Sequence, residues 1–249
     1  MIFIAQLSDL HVDGSDRAAE RVTRAMDALR ALTEPPAALL VTGDVADGGS
    51  EAQYAEVLRL TEAPFPVYFC PGNHDDRAAF RSVLLGEQPD PASQEGPVNR
   101  AHKVGALTVL MCDSTLPGKN EGLLDPGTLA WIEKELDALG PDASALLAFH
   151  HPPVPVHVPM LDVMLLQNPD ALAELLARRP EIVGVVNGHT HTAAASALAG
   201  RPVLLCPAVT WTLRLSAQGG PMDDRDDAPG IAFHCIAGRQ LTTHFRSAR

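Results

Sequence analysis

A chain of 249 residues suits one large α/β domain or two small ones, and 46% apolar against 20% charged residues is ordinary globular composition. A formal net charge of −12 excludes a surface built to grip nucleic-acid backbone nonspecifically, so no stable nucleic-acid binding is expected. No stretch approaches the roughly 18 apolar residues of a membrane span, and the opening MIFIAQLSD has neither the basic leader nor the long apolar core expected of a signal peptide.

Along the first two thirds, short apolar runs alternate with helical patterns. IFIAQL (2–7) reads as a buried strand, and 17–31 as a helix with apolar Val22, Ala25, Met26 and Leu29 on one face. AALLVT (37–42) precedes a helix over 50–61, where Ser50 is an N-cap and Gln53 completes a capping box. PVYFC (66–70) leads into a helix over 76–85, LTVLMCD (107–113) into one over 126–139, and ALLAF (145–149) into one over 170–178, before IVGVVN (182–187). Nearly all-apolar runs suit strands buried on both faces, and their alternation with helices implies a layered α/β fold. From His191 onward ALAGRPVLLCPA, GIAFHCIAG and QLTTHF read as antiparallel strands closing the same domain over 1–249. GEQPDPASQEGP (86–97) reads as a loop, and the acidic QGGPMDDRDDAPG (218–230) as a solvated turn or flap. The cysteines, Cys70, Cys112, Cys206 and Cys235, form no CxxC pair and read as reduced core thiols of a cytoplasmic protein.

The turns after five of these strands carry the chemistry. IFIAQL ends in SDLH (Asp9, His11), AALLVT in GDVADG (Asp44, Asp47), PVYFC in PGNHD (Asn73, His74, Asp75), ALLAF in HHPP (His150, His151) and IVGVVN in GHTH (His189, His191). Sites in open α/β sheets form at the carboxyl ends of strands, so the five turns should converge. The i,i+2 spacing of Asp9/His11 and His189/His191 points both members of each pair to one side of an extended backbone. Gly43, Gly72 and Gly188 permit close backbone approach or turn geometry. Taken singly, D-x-H and G-D read as ordinary turns, H-H-P-P and G-H-x-H can be loops, and PGNHD reads equally as a turn or as part of a site. Together they put two or three carboxylates, four imidazoles and an amide oxygen in one place, which is costly to bury without a cation. The set is too large for one tetrahedral zinc and too rich in nitrogen for calcium, whereas two borderline metals about 3.5–4 Å apart with a bridging carboxylate would use it all.

The ordered set D-x-H, G-D-x-x-D-G, G-N-H-D, H-H-P-P and G-H-x-H resembles that of the calcineurin-like metallophosphoesterases, from Ile2 to about Ala208. PGNHDDR, HHPPV and GHTH are most similar to the class III cyclic-nucleotide phosphodiesterases and bacterial glycerophosphodiesterases. The resemblance implies a four-layer α-β-β-α sandwich and two divalent or trivalent transition-metal ions (Fe, Mn, Zn or Co). By motif, Asp9, His11 and His191 would hold the first metal, Asp44 would bridge, and Asn73, His150 and His189 would complete the second. His74 matches the family's catalytic histidine, with Asp47 or Asp75 as its expected carboxylate partner. The implied function is hydrolysis of small phosphodiesters, with 3′,5′-cyclic nucleotides favoured, by in-line attack of a metal-bridging hydroxide.

Other readings are a glycerophosphodiesterase, a promiscuous phosphodiesterase/phosphomonoesterase and, more remotely, a non-catalytic scaffold on the same fold. The protein phosphatases of the superfamily carry an arginine where Gly48 stands and a glutamate where Asp75 stands. The superfamily's DNA-repair nucleases are disfavoured by the net charge. PVPVHVPMLDVMLLQNP (153–169) is expected to overhang the site as a lid, with His157, Asp162, Gln167 and Asn168 as candidates beside Asn73 and His74 for substrate contact. Arg77 is expected to hold the motif turn or meet substrate, and His102, His234 and His244 to be surface or core histidines. Relatives implied by the resemblance are commonly dimers, which makes 207–229 a candidate contact region.

Overall fold

The computed structural model describes residues 1–88, 96–141 and 143–248. The chain runs β1 (Ile2–Leu7), α1 (Asp16–Arg30), β2 (Leu39–Thr42), α2 (Glu51–Leu60), β3 (Val67–Cys70), a short α3 (Arg77–Ala79), β4 (Arg100–Val104), β5 (Leu107–Met111), α4 (Pro126–Asp137) and β6 (Ser144–Ala148). It continues through α5 (Pro159–Asp162), α6 (Pro169–Arg178), β7 (Ile182–Asn187), β8 (Ala194–Leu198), β9 (Arg201–Leu205), β10 (Thr212–Leu213), β11 (Asp223–Asp224), β12 (Gly230–Ala237) and β13 (Gln240–Ser247).

Two large sheets form, in the orders β13-β12-β1-β2-β3 and β4-β5-β6-β7-β9-β8. Their inner faces meet through Ile4, Leu40 and Cys70 of the first and Val109, Met111, Leu146, Ala148 and Val186 of the second. The outer face of the first sheet packs on α1 and α2 through Leu7, Val41, Val22, Met26, Tyr54 and Val57. That of the second packs on α4 and α6 through Leu110, Leu147, Val185, Ile132, Leu172 and Leu176. The result is a four-layer α-β-β-α sandwich, because strands apolar on both faces need a partner layer on each side. Helix starts are fixed locally. Ser15 accepts from Ala18 N, Asp125 accepts from Thr128 N ahead of Pro126, and the Ser50/Gln53 capping box is complete, each cap contributing about 1 kcal/mol.

Three expectations change. The segment expected as one helix over 76–85 is the three-residue α3 followed by a π-helical turn, Phe80–Leu84, closed by Leu85 N on Phe80 O at 3.3 Å. The wide turn brings consecutive Phe80 and Arg81 both inside, Phe80 edge-on to Tyr54 and Arg81 onto the carbonyls of Gly96 and Pro97. Strand β4 was not expected: it lies at a sheet edge, with Ala101 and the charged Lys103 on its solvent side. The last third is not purely antiparallel, since β9 pairs parallel with β7 while β8/β9 and β1/β12/β13 are antiparallel. The loop expected over 86–97 lies partly outside the described residues. Cys70, Cys112, Cys206 and Cys235 are free thiols, the first three buried.

Because β1, β2 and β3 run parallel in one sheet and β6 and β7 run parallel in the other, five carboxyl ends gather along one edge of the sandwich. Among the described residues no helix is long and apolar enough to cross a membrane.

Candidate metal centre

The five strand-end turns meet. Asp9 Oδ1 lies 3.3 Å from His191 Nε2 and 4.0 Å from His150 Nε2. Asp44 Oδ2 lies 3.2 Å from His150 Nε2 and 3.5 Å from His11 Nε2. His189 Nδ1 lies 3.2 Å from His150 Nε2. The PGNHD turn is drawn over Asp44 by a hydrogen bond from His74 N to Asp44 Oδ1 at 2.9 Å. All six of these charged or imidazole groups other than His74 are buried, while the His74 side chain is 41% exposed and available to a ligand.

The backbone route differs from the one expected. Asp9, His11, Asp44, His189 and His191 have φ of 54°, 42°, 47°, 71° and 53°, so the D-x-H and H-x-H pairs are not extended. Each left-handed residue costs about 1–2 kcal/mol without a glycine, strain of the kind that clusters at functional sites. Two glycines serve close approach rather than turn geometry: a Cβ on Gly72 would strike the Asp44 carboxylate, and one on Gly188 would strike Ser8 and Asp9.

Hydrogen bonds fix the imidazole tautomers. Carbonyl oxygens only accept, so His150 Nδ1 donates to Thr42 O (2.8 Å), His191 Nδ1 to Trp211 O (3.0 Å) and His74 Nδ1 to Asp47 O (2.9 Å). His11 Nδ1 donates to Asp47 Oδ1 at 2.9 Å. The Nε2 atoms of His11, His150 and His191 are thus left facing carboxylates. Burial alone would lower the pKa of His150, but Asp44 and Asp9 push it up to about 9. Burial would raise Asp9, but His191 and His150 bring it down to about 2. Burial and His150 push His189 down to about 4. Three lone-pair nitrogens and two carboxylates packed this closely require either trapped protons or a cation.

The donor set fits metal ions. His11 Nε2 and Asn73 Oδ1 are buried without a hydrogen-bond partner among the described residues. Ligand atoms bound to one transition metal at about 2.0–2.2 Å stand roughly 3.0–3.5 Å apart, which is the spacing found between these side chains. Two triads, Asp9/His11/His191 and Asp9/Asp44/His150, converge within 4.8 Å, and His11/Asp44/His74 does likewise.

Of the two carboxylates expected beside His74, Asp47 is there and Asp75 is not. Asp75 turns away and accepts from Val45 N, Ala46 N, Gly72 N and Tyr54 Oη, locking the GDVADG and PGNHD turns together. Burial and the nearby Asp44 push its pKa up to about 6. Asp47 meets His74 chiefly through its carbonyl, its carboxylate lying 3.7 Å away and serving His11 instead.

The remaining candidates lie off the cluster. Asp162 accepts from Val156 N and Asn168 clamps both backbone atoms of Leu124, which makes them braces of the lid. Gln167 bonds the Leu165 carbonyl, and His157 is exposed with φ of 60°. Arg77 holds Asp113 Oδ2 at 2.8 Å and Thr115 O at 2.9 Å. His234 is a core residue between Gln6 and Thr243, His102 stacks on Tyr68, and His244 is exposed. Two residues beside the cluster had no role assigned from the sequence. His151 is fully buried, bonded to Ser114 Oγ at 2.8 Å, and shares a triad with His150 and His189. Trp211 packs on His11 and His191. The doubled histidine in HHPP signalled the first, while the second lies in no motif. Beside Asn73 a groove of about 730 Å³ opens between residues 73–78 and 115–118.

The sequence profile of the family described as calcineurin-like phosphoesterase matches residues 3–193. A probable cyclic nucleotide phosphodiesterase of Rhodococcus erythropolis is 32% identical over 92% of this chain and 77% of its own. A cAMP/cGMP dual specificity phosphodiesterase of Mycobacterium tuberculosis is 32% identical over 91% of this chain and 73% of its own. A probable glycerophosphodiester phosphodiesterase of Arcobacter nitrofigilis is 28% identical over 98% of this chain and 92% of its own. In fold the chain is similar to a dimetal phosphatase from Danio rerio, with TM-score 0.75 over all of this chain and 96% of the other at 13% identity.

Proposed function

The chain belongs to the calcineurin-like phosphoesterase family and is a metal-dependent phosphodiesterase; from that premise we propose that it hydrolyses small phosphodiesters, 3′,5′-cyclic nucleotides foremost. The observation that carries this reading is the convergence of buried acceptor atoms at 3.2–3.5 Å, His11 Nε2 having no hydrogen-bond partner among the described residues. We assign Asp9, His11, Asp44 and His191 to one metal and Asp44, Asn73, His150 and His189 to the other. The ions, of the Zn, Mn, Fe or Co kind, would polarise the phosphoryl group and supply a nucleophile near neutral pH.

The chain's own groups do the rest. His74, its Nδ1–H held by the Asp47 carbonyl, would as the imidazolium donate Nε2–H to a phosphate oxygen and give that proton to the departing alkoxide, leaving the neutral ring with Nδ1 still bonded to Asp47 O. Asp44 keeps the PGNHD turn seated through His74 N, so ligand set and proton donor move together. The groove beside Asn73 gives a nucleoside or glycerol moiety room next to the phosphate. For a cyclic nucleotide the 3′ bond breaks and a 5′-nucleotide leaves.

We read the chain as one catalytic domain with 153–169 as its lid, working in the cytoplasm, where its free thiols stay reduced. Exposed Leu215 and Met222 support 207–229 as the contact of a homodimer, checked by mass in solution. The substrate reading is tested by kcat/KM of the metal-loaded enzyme on cyclic AMP, cyclic GMP, glycerophosphodiesters, aryl phosphodiesters and phosphomonoesters. Cyclic nucleotides leading the panel supports it, and a glycerophosphodiester leading it replaces it with the second reading, which the Arcobacter nitrofigilis relative favours.

A further inference from the structure

Trp211 stands where the metal cluster, the lid and the acidic flap meet. Its ring centroid lies 4.9 Å from that of His11 and 4.8 Å from that of His191, tilted by 34° and 38°. Its carbonyl accepts from His191 Nδ1. On its other side it joins the small apolar cluster of Val158, Leu161 and Leu213, with Val156 and Met164. The Arg225 guanidinium lies over the ring, 5.1 Å from its centroid. The flap bearing Arg225 is fastened to α1: Arg17 donates to the Arg225 carbonyl at 2.6 Å, and Arg21 to the carbonyls of Val209 at 2.7 Å and Asp227 at 2.6 Å.

An imidazole held by one Nδ1 hydrogen bond can still tilt about that bond. His11 and His191 also sit on left-handed backbone, which favours relaxation away from the binding geometry. A flat ring packed against both limits the tilt, and clamping that ring between lid residues and a guanidinium makes it rigid. We propose that Trp211 is a positioning residue of the first metal site, holding His11 and His191 at their binding angle and coupling them to the lid. The inference rests on the ligand assignment above, and the two fail differently: a chain that takes up no metal overturns the assignment, whereas a Trp211 variant with intact metal affinity overturns only this.

The test is Mn²⁺ and Zn²⁺ titration of metal-stripped full-length protein by calorimetry. Trp211→Leu weakens one of the two binding steps by about 10–100-fold and leaves the other within about twofold, and Trp211→Phe recovers most of the loss. Leu161→Ala, in the lid cluster, weakens the same step, while Leu172→Ala, buried beneath the other sheet, weakens neither. With Trp131→Phe, Trp211 becomes the sole tryptophan, and its emission changes as the metal is added. Wild-type affinities in Trp211→Leu, or equal effects of Leu161→Ala and Leu172→Ala, overturn the proposal. Should Trp211→Leu fail to fold, an emission from Trp211 that ignores the metal overturns it equally.

Discussion

Asp44 Oδ2 stands 3.2 Å from His150 Nε2, with both side chains buried. The same oxygen is 3.5 Å from His11 Nε2, so one carboxylate faces an imidazole from each half of the cluster. Asp44→Ala is therefore expected to disturb both metal positions. Metal content should fall below one per chain, and kcat/KM on an aryl phosphodiester by about 10³-fold or more. Elemental analysis alongside kinetics checks it; two metals retained would remove Asp44 from the bridging position.

His74 differs from its neighbours in being exposed, while its Nδ1 is tied to a carbonyl as those of His150 and His191 are. His74→Ala should lower kcat by about 10²–10⁴-fold while metal content stays near wild type. The loss should be smaller on substrates whose leaving group departs without a proton, such as a nitrophenolate. Full activity on alkyl diesters would refute its role.

Asp75 predicts a stability effect. Three backbone N–H groups and the Tyr54 hydroxyl converge on it, so Asp75→Ala orphans four donors and should cost about 3 kcal/mol in denaturant unfolding. Unchanged stability would show that the two turns hold without this lock.

Most of this site was legible because its parts sit at the ends of apolar runs, and β1 and β7 occupy the very residues of IFIAQL and IVGVVN. Burial on both faces leaves little else those runs can be. Strand β4 was hidden because RAHKV has charge on its open side and only edge pairing to define it. The left-handed conformations were hidden because Asp and His, though enriched at positive φ, adopt it only rarely, and it is the surrounding contacts that impose it here. Asp75 was misread because adjacency to His74 in the chain says nothing of the direction its side chain takes in a tight turn. Trp211 was missed because its contacts come from residues 20 and 200 positions away.

His234 sets a pH dependence separate from catalysis. Burial pushes its pKa down to about 3, while in the unfolded chain it takes up a proton near 6.5. Its folded-state pKa is depressed, so its stabilising effect is whole above about pH 6.5 and drains away as pH falls toward 3. Between about pH 7 and pH 5 the wild type should lose about 2 kcal/mol more than His234→Gln. Parallel stability profiles for the two proteins would contradict a neutral, buried His234.

The central claim is that seven side chains on five strand ends hold two metal ions that the reaction requires. Metal analysis of protein purified without chelator tests it most directly, with wild type and Asn73→Ala measured side by side and activity followed through exhaustive chelation and reconstitution. The expected result is about two transition-metal ions per wild-type chain and about one in Asn73→Ala, with activity lost on chelation and restored by Mn, Co or Zn to different extents. A chain that hydrolyses phosphodiesters at full rate with less than one metal bound would contradict it.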